Sequence, residues 1–242
     1  MRVDIVTIFP DFVNQALSFS IIGRAISKGV VQAQAHDLRQ WTHDAHRTVD
    51  DTPYGGGPGM VMKPEPFHEA LDEIAVPGET HVVLLTPLGK TFNQKRAHSL
   101  ATRKHLVFLC GHYEGIDERV AERADEEISI GDFVLTGAEL PALMVMDAVV
   151  RLLPGVLGNE ASAVDESFSS ILEYPQYTRP PEYRGLRVPE VLLGGHHKEV
   201  RLWRRSEALR RTRERRPDLL AAADLTQEDW RLLAELDPET AE

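Results

Sequence analysis

Residues 128–153 constrain the fold more than any other stretch. The run from Ile128 to Leu135 is apolar and broken once, by Gly131-Asp132. Thr136-Gly137 turns the chain. Pro141 stands in the first turn of the next segment, where a missing N–H costs nothing. Residues 142–153 are almost wholly apolar and long enough for a buried helix. The stretch reads strand, tight glycine turn, buried helix. Two earlier β-rich runs stop in the same way: residues 81–86 at Pro87-Leu88-Gly89, and 105–110 at Gly111-His112-Tyr113-Glu114-Gly115. Strands that alternate with helix-like segments predict a parallel sheet, and in such sheets ligands sit at the carboxyl ends of the strands. Three glycine-bearing turns at three such ends predict one pocket walled by backbone. The competing reading is three ordinary strand-to-helix turns.

The 242 residues suit one large domain or two small ones, and a hydrophobic fraction of 42% supplies a proper core. No apolar run approaches the ~20 residues of a membrane span, and Met-Arg-Val-Asp-Ile-Val opens the chain as a strand rather than a signal peptide. Cys110 is the single cysteine, set in an apolar run, so a buried inert thiol is expected and no disulfide framework. A cytoplasmic protein without a membrane partner is expected. The net charge of −11 argues against a nucleic-acid partner when taken globally. Locally the sign reverses: residues 198–216 hold nine Lys or Arg against three Glu. An acidic total can coexist with one basic face, and the face is what a phosphate backbone meets.

In chain order, residues 3–9 read as a strand. Residues 12–27 have helical spacing, with Phe12, Ala16, Phe19 and Ile22 on one side and Gly29 to close it. Residues 30–36 read as a second strand. His43 and His46 lie three apart but lack further ligands at a metal spacing. The loop at 50–60, Asp-Asp-Thr-Pro-Tyr-Gly-Gly-Gly-Pro-Gly-Met, is neither helix nor strand. It is an anion nest, a close-approach surface or a plain connector; no Gly-Lys-Ser/Thr comes after it, so it is not a P-loop. Residues 65–74 are helical, and 115–126 are amphipathic at helical spacing. Residues 158–170 are small, polar and acidic, a linker expected to be mobile unless bound. Residues 174–190 are rich in Pro, Tyr and Arg. A basic helix is expected at 197–215, either solvated or an RNA-backbone surface. A last helix at 226–236 precedes an acidic tail.

Six stretches carry a family resemblance: the 50–60 loop, Cys-Gly-His-Tyr-Glu-Gly-Ile-Asp-Glu-Arg-Val, Ser-Ile-Gly-Asp-Phe-Val-Leu-Thr-Gly-Ala-Glu-Leu-Pro-Ala, Pro-Gly-Val-Leu-Gly, Tyr-Pro-Gln-Tyr-Thr-Arg-Pro and Arg-Arg-Pro-Asp-Leu-Leu. The chain resembles the bacterial tRNA (guanine-N1)-methyltransferases that modify the guanine 3′ of the anticodon, position 37. The resemblance implies a SPOUT-type α/β fold, a parallel sheet tied in a deep trefoil knot. It implies a catalytic, cofactor-binding domain over 1–158, a linker over 159–173 and a small helical tRNA-binding domain over 174–242. It implies a homodimer, S-adenosylmethionine as methyl donor, and magnesium assistance without a dedicated protein cage.

The resemblance also implies site residues. Cofactor backbone contacts fall on Pro87, Leu88, Gly111, Tyr113, Glu114, Ile130, Gly131, Asp132, Phe133, Val134, Leu135 and Gly137. Glu114 reads the guanine, and Asp50 with the loop of Gly55, Gly56 and Gly57 helps close the site. Arg210 and Arg211 are expected to meet tRNA. The general base is an Asp just before Ser-Phe in the family. Here Ser167-Phe168 comes after Asp165-Glu166, so the register gives Glu166, with Asp165 as the alternative. Arg151 matches an arginine suited to charge on the guanine O6. Two motif positions depart from the family's usual pattern: Ala138 stands in place of a glycine, and Gly195-His196 in place of Gly-Asn/Asp. The alternative from another class is a non-catalytic RNA-binding or nucleotide-sensing protein on the same fold. A Rossmann dinucleotide enzyme fails for lack of a Gly-x-Gly-x-x-Gly turn after the first strand.

Overall fold

The computed structural model describes residues 1–158, 167, 168 and 170–236. The chain divides into two compact units, Met1–Glu160 and Ala161–Glu242.

The first unit holds strands β1 (Arg2–Thr7), β2 (Gln32–Asp37), β3 (Asp50–Asp51), β4 (Val61–Met62), β5 (Thr80–Thr91), β6 (His105–Cys110) and β7 (Glu126–Ser129). Its helices are α1 (Pro10–Leu17), α2 (Ser20–Ser27), α3 (Pro64–Ile74), α4 (Gln94–Ala101) and α5 (Glu139–Val150). Five strands form one sheet in the order β2-β1-β6-β5-β7, every pair parallel. The short β3 and β4 pair antiparallel on their own. A parallel sheet is covered on both faces, so its central strands are apolar throughout; all six residues of β6 are buried. Alternate side chains feed two cores. Val3, Ile5, Leu106 and Phe108 face a layer that includes residues of α1, α2, α4 and α5, while Val6, Val107 and Leu109 face Phe67 and Leu71 of α3. Phe108 is fully buried, which stabilises the unit by roughly 1.5–3 kcal/mol.

The edge next to β7 is the unusual part. Residues 83–85 of β5 pair with 126–128, the chain loops out through Pro87 and Leu88, and Lys90 and Thr91 return to pair with Ile128 and Ser129. Phe92 N–H then donates to the Ser129 carbonyl at 2.7 Å. At Gly89 the two chains touch backbone to backbone: a Cβ there would lie within 2.6 Å of Glu127 C and of Ile128 N and C. Strand β5 therefore runs well past the expected end at residue 86.

Two expected helices differ. The 12–27 helix is two helices, because Ser18 ends the first (its hydroxyl donates to the Gln15 carbonyl at 2.6 Å) and Ser20 takes a left-handed φ of 56°. The restart rotates the buried face to Val13, Leu17, Ile22 and Ala25, which leaves Phe12 and Phe19 exposed. The 115–126 segment is a short 3-10 helix over Glu118–Arg123, where the Asp117 carboxylate accepts the Arg119 N–H.

The second unit holds β8 (Glu182–Tyr183), β9 (Leu186–Arg187), α6 (His197–Arg215), α7 (Pro217–Ala222) and α8 (Gln227–Glu235). Ile171, Ala208, Leu209, Leu232 and Leu233 form its core. Helix α6 matches the expected bounds, and Thr226 with Asp229 closes a capping box on α8. The Arg205 guanidinium, together with the Thr226 cap, holds the Asp229 carboxyl down at about 2 despite its burial. Residues 171–173, expected in the linker, are fastened here: Ile171 is buried, and Leu172 N–H donates to Thr212 Oγ1 at 2.9 Å. Among the described residues no helix is long and apolar enough to cross a membrane.

Candidate functional site

The carboxyl ends of β5, β6 and β7 surround one cleft of about 550 Å³. Pro87 and Leu88 come from the β5 loop, Gly111, Tyr113 and Glu114 from the turn after β6, and Ile130, Gly131, Phe133, Val134, Leu135 and Gly137 from the turn after β7. The structure thus brings together eleven of the twelve residues expected to meet the cofactor. Asp132 is the exception; it is exposed and lies off the lining. The turns are fixed to one another by backbone: Ala138 N–H donates to the Gly111 carbonyl at 3.0 Å, and His112 bridges Gly137. The lining carries Glu114, Asp117, Glu118 and Glu127, and no Lys or Arg.

Strand β4 delivers the glycine loop to this cleft. Met62 N–H donates to the Gly115 carbonyl, and Glu114 N–H to the Met60 carbonyl. Gly59, at φ +76°, lies so close to the Glu114 side chain that a Cβ would overlap its carboxylate. A side chain there would push the Glu114 carboxylate aside, and the positive φ itself favours glycine. Asp50 of β3 neighbours Tyr113: burial, then the Asp50 carboxylate, push the Tyr113 phenol above its ordinary value. Gly55, Gly56 and Gly57 have nothing within contact distance of where a side chain would be, so they form the loop's outer tip rather than the wall of the cleft.

Sequence reasoning missed a buried carboxylate under the cleft. Glu139, the first residue of α5, is 5% exposed. The Thr7 hydroxyl donates to its Oε1 at 2.6 Å and itself accepts Phe9 N–H. His112 Nε2 stands 3.9 Å from its other oxygen. A glutamate at the start of an otherwise apolar helix was the available signal. Glu139 ties β1, the β6 turn and α5 together behind the cleft. Cys110 is fully buried below it, as expected, and burial, then Glu139, raise its thiol well above the usual range.

Arg151 is the C-cap of α5, at the opposite end from the cleft. Twelve residues of helix separate the two by about 18 Å, so a single chain does not bring Arg151 to the cleft by this helix. Asp165 and Glu166 lie outside the described residues. His43 meets Glu69 at 2.8 Å, and among the described residues no three His, Cys, Asp or Glu side chains converge to hold a metal.

The basic helix α6 is less available than its composition suggests. Arg201 pairs with Glu228, Arg205 with Asp229, and Arg216 with Asp218. Arg210 is held by Glu207 and Glu214, in that order of effect, which raise its pKa. Among the described residues Arg211 has no carboxylate partner.

Comparison with known proteins agrees with this geometry. The family model described as tRNA (guanine-1)-methyltransferase TrmD matches residues 1–222. A tRNA (guanine-N(1)-)-methyltransferase of Latilactobacillus sakei is 53% identical over 245 residues, covering all of both chains. Enzymes of the same name from Brevibacillus brevis and Frankia alni are 54% and 56% identical, covering 99% and 96% of this chain and 99% and 90% of their own. A parallel sheet with a backbone-walled cleft at its carboxyl ends, and similarity along the full chain, lead to one conclusion: the chain belongs to the tRNA (guanine-1)-methyltransferase TrmD family.

Proposed function

We propose that the protein transfers a methyl group from S-adenosylmethionine to N1 of a guanine in tRNA, the guanine 3′ of the anticodon at position 37. Family membership supports the reaction class. The charge of the cleft supports the cofactor class: four carboxylates line it, of which Asp117 is paired with Arg119, and no Lys or Arg of the described residues does. Such a field favours a cation, which suits a sulfonium and disfavours the pyrophosphate of a dinucleotide. The volume of about 550 Å³ falls within the ordinary range for small-molecule sites. When bound, S-adenosylmethionine supplies a methyl group on a positively charged sulfur.

The chain's own residues then have distinct work. Backbone of the three turns holds an adenine-sized planar group, and Ala138, seated on Gly111, keeps two of those turns in register. Glu114, packed on Gly59, accepts from the guanine N1–H or amino edge. Asp50 and Tyr113 fix the loop that closes over it. Glu166, or Asp165 beside it, takes the N1 proton, the task of a general base. Arg151 balances charge on O6. Helix α5 holds Arg151 away from its own chain's cleft, so the assignment fits a homodimer in which a second copy completes the site. Exposed apolar residues support that assembly: Phe12 lies on α1, and Leu140 and Met144 on α5, which packs against α1. Magnesium is given no protein site and no step.

The test is incubation of the protein with methyl-labelled S-adenosylmethionine and unmodified tRNA transcripts carrying guanine or adenine at position 37. Label is expected only in the guanine transcript, with a primer-extension stop at that base. Cofactor binding without transfer to either transcript would instead favour the non-catalytic binder.

Pairing within α6 leads to a second expected result. Arg211→Ala should weaken tRNA binding and lower the slope of log affinity against log salt by about 0.7–0.9, the loss of one phosphate contact. Arg210→Ala should leave the slope unchanged, because its two glutamates already neutralise it. Equal slope changes in both variants would show that phosphate displaces the glutamates.

A further inference from the structure

A second cavity, of about 680 Å³, lies wholly within the second unit. Its walls come from the irregular Tyr-Pro-Gln-Tyr-Thr-Arg-Pro-Pro segment and from the outer face of α6. Three aromatic rings contribute: Tyr174, Tyr177 and Trp203. Tyr177 and Trp203 stand 6.3 Å apart with planes inclined at 51°, and the Arg204 guanidinium lies 4.9 Å over the Tyr174 ring. Arg179 also lines the cavity, and among the described residues no carboxylate does. Among the described residues neither Arg179 nor Arg204 has an ion-pair partner, unlike Arg201, Arg205, Arg210 and Arg216 on or beside the same helix.

The two cavities therefore differ in charge. Among the described residues the sheet-end cleft has four carboxylates and no Lys or Arg, and this one has two arginines and no carboxylate. Guanidinium groups with no carboxylate partner among the described residues, set beside aromatic rings, complement a ligand that is both planar and anionic. A nucleotide is both: base faces stack on aromatic and guanidinium planes, and the phosphate takes the cations. Tyr177 is 48% exposed, so its side chain can be reached by such a ligand without unfolding the unit. A proline-rich peptide would use the rings but leave both arginines unmatched.

We propose that this cavity binds one unstacked nucleotide of the tRNA, apart from the target guanine, through Tyr177, Trp203, Arg179 and Arg204. The proposal rests on tRNA being the substrate and adds a second point of base contact to it. It is a stacking site, so it discriminates unpaired from paired RNA rather than one base from another.

The experiment compares wild type, Tyr177→Ala, Tyr177→Phe and Trp203→Leu for tRNA affinity, cofactor affinity and methyl transfer at saturating tRNA. Removing one stacking ring is expected to weaken tRNA binding by roughly 5- to 50-fold. Tyr177→Phe keeps the ring and should bind as wild type does. Cofactor affinity and the saturated rate should stay unchanged, because Tyr177 is not among the residues that line the sheet-end cleft. A fully base-paired RNA duplex should bind wild type and Tyr177→Ala equally. Thermal unfolding of each variant identifies loss of structure, and the exposed Tyr177 position keeps the comparison usable if Trp203→Leu unfolds. Tyr177→Ala with wild-type tRNA affinity would overturn the proposal. So would a change of oligomeric state in that variant by sedimentation, which would make the cavity a protein interface. Failure of the methyltransferase assignment looks different: wild type itself would transfer no methyl group to tRNA.

Discussion

Gly89→Ala should lower the melting temperature of the protein by roughly 6–12 °C and reduce its soluble yield. The cause is local and geometric. At Gly89 the loop of β5 crosses β7 at backbone distance, and a Cβ would sit within 2.6 Å of three main-chain atoms of Glu127 and Ile128. No rotamer relieves that contact, because the neighbour is backbone. Either the 86–89 loop lifts or β7 shifts, and β7 is held by its pairs to residues 83–85, 90 and 91 on both sides of the loop. Overpacking of this kind costs about 3 kcal/mol, against a total stability of roughly 5–15 kcal/mol, and each kcal/mol moves the melting point of a chain this long by about 2–4 °C. The loop also carries Pro87 and Leu88, so the surviving folded fraction should bind S-adenosylmethionine more weakly. Gly158→Ala is the control: a Cβ there meets nothing within 4 Å among the described residues, and such a change normally stays within about 0.5 kcal/mol. Differential scanning calorimetry of both variants decides the matter. A native melting point for Gly89→Ala would show that the loop moves freely away from β7.

That crossing marks the boundary of what sequence patterning reveals. The three glycine-bearing strand ends were legible, because β-rich runs that stop at glycine have one period and one terminator. Their convergence on one cleft came from parallel-sheet topology. Pattern did not reveal that β5 continues after its turn to pair a second time with β7, since residues 86–91 contain Pro87 and Gly89 and read as a loop. The single helix over 12–27 failed for a related reason. Apolar spacing continues across Ser18-Phe19, but the local hydrogen bond of Ser18 and the left-handed Ser20 break it. Charge counting over residues 198–216 gives nine cations and does not show that Arg201 and Arg205 are spent on Glu228 and Asp229. Pairing across 24 or 27 residues has no period to detect. Buried Glu139 escaped because a glutamate before an apolar helix resembles an ordinary first-turn acid.

Glu166→Gln should slow single-turnover methyl transfer by roughly 100-fold or more, the scale of a lost general base, and should leave tRNA and S-adenosylmethionine affinities nearly intact, because a base acts on the transition state. Asp165→Asn should cost far less. Both residues lie outside the described ones, so the ranking rests on the register of residues 167–173. That register is held by several contacts of the second unit. Ser167 Oγ accepts Glu173 N–H at 3.0 Å, Phe168 N–H donates to the Ile171 carbonyl at 3.2 Å, and Leu172 N–H donates to Thr212 Oγ1 at 2.9 Å. Phe168 is half exposed, with φ +73° and the Arg216 guanidinium over its ring, while Ile171 is the residue that enters the core. Slipping the chain by one residue would pull Ile171 from that core and break the Leu172–Thr212 hydrogen bond, a loss of a few kcal/mol by burial and hydrogen bonding together, while the other two bonds lie within the segment and keep its local shape. Ser167 is thus fixed, and the carboxylate immediately before it is Glu166. Ile171→Ala supplies an independent check: loosening the anchor should narrow the gap between the two base variants, since the chain can then present either carboxylate. A larger loss in Asp165→Asn than in Glu166→Gln would reverse the assignment. Near-wild-type rates in both, with a dead double mutant, would mean that the two carboxylates substitute for one another at the N1 proton.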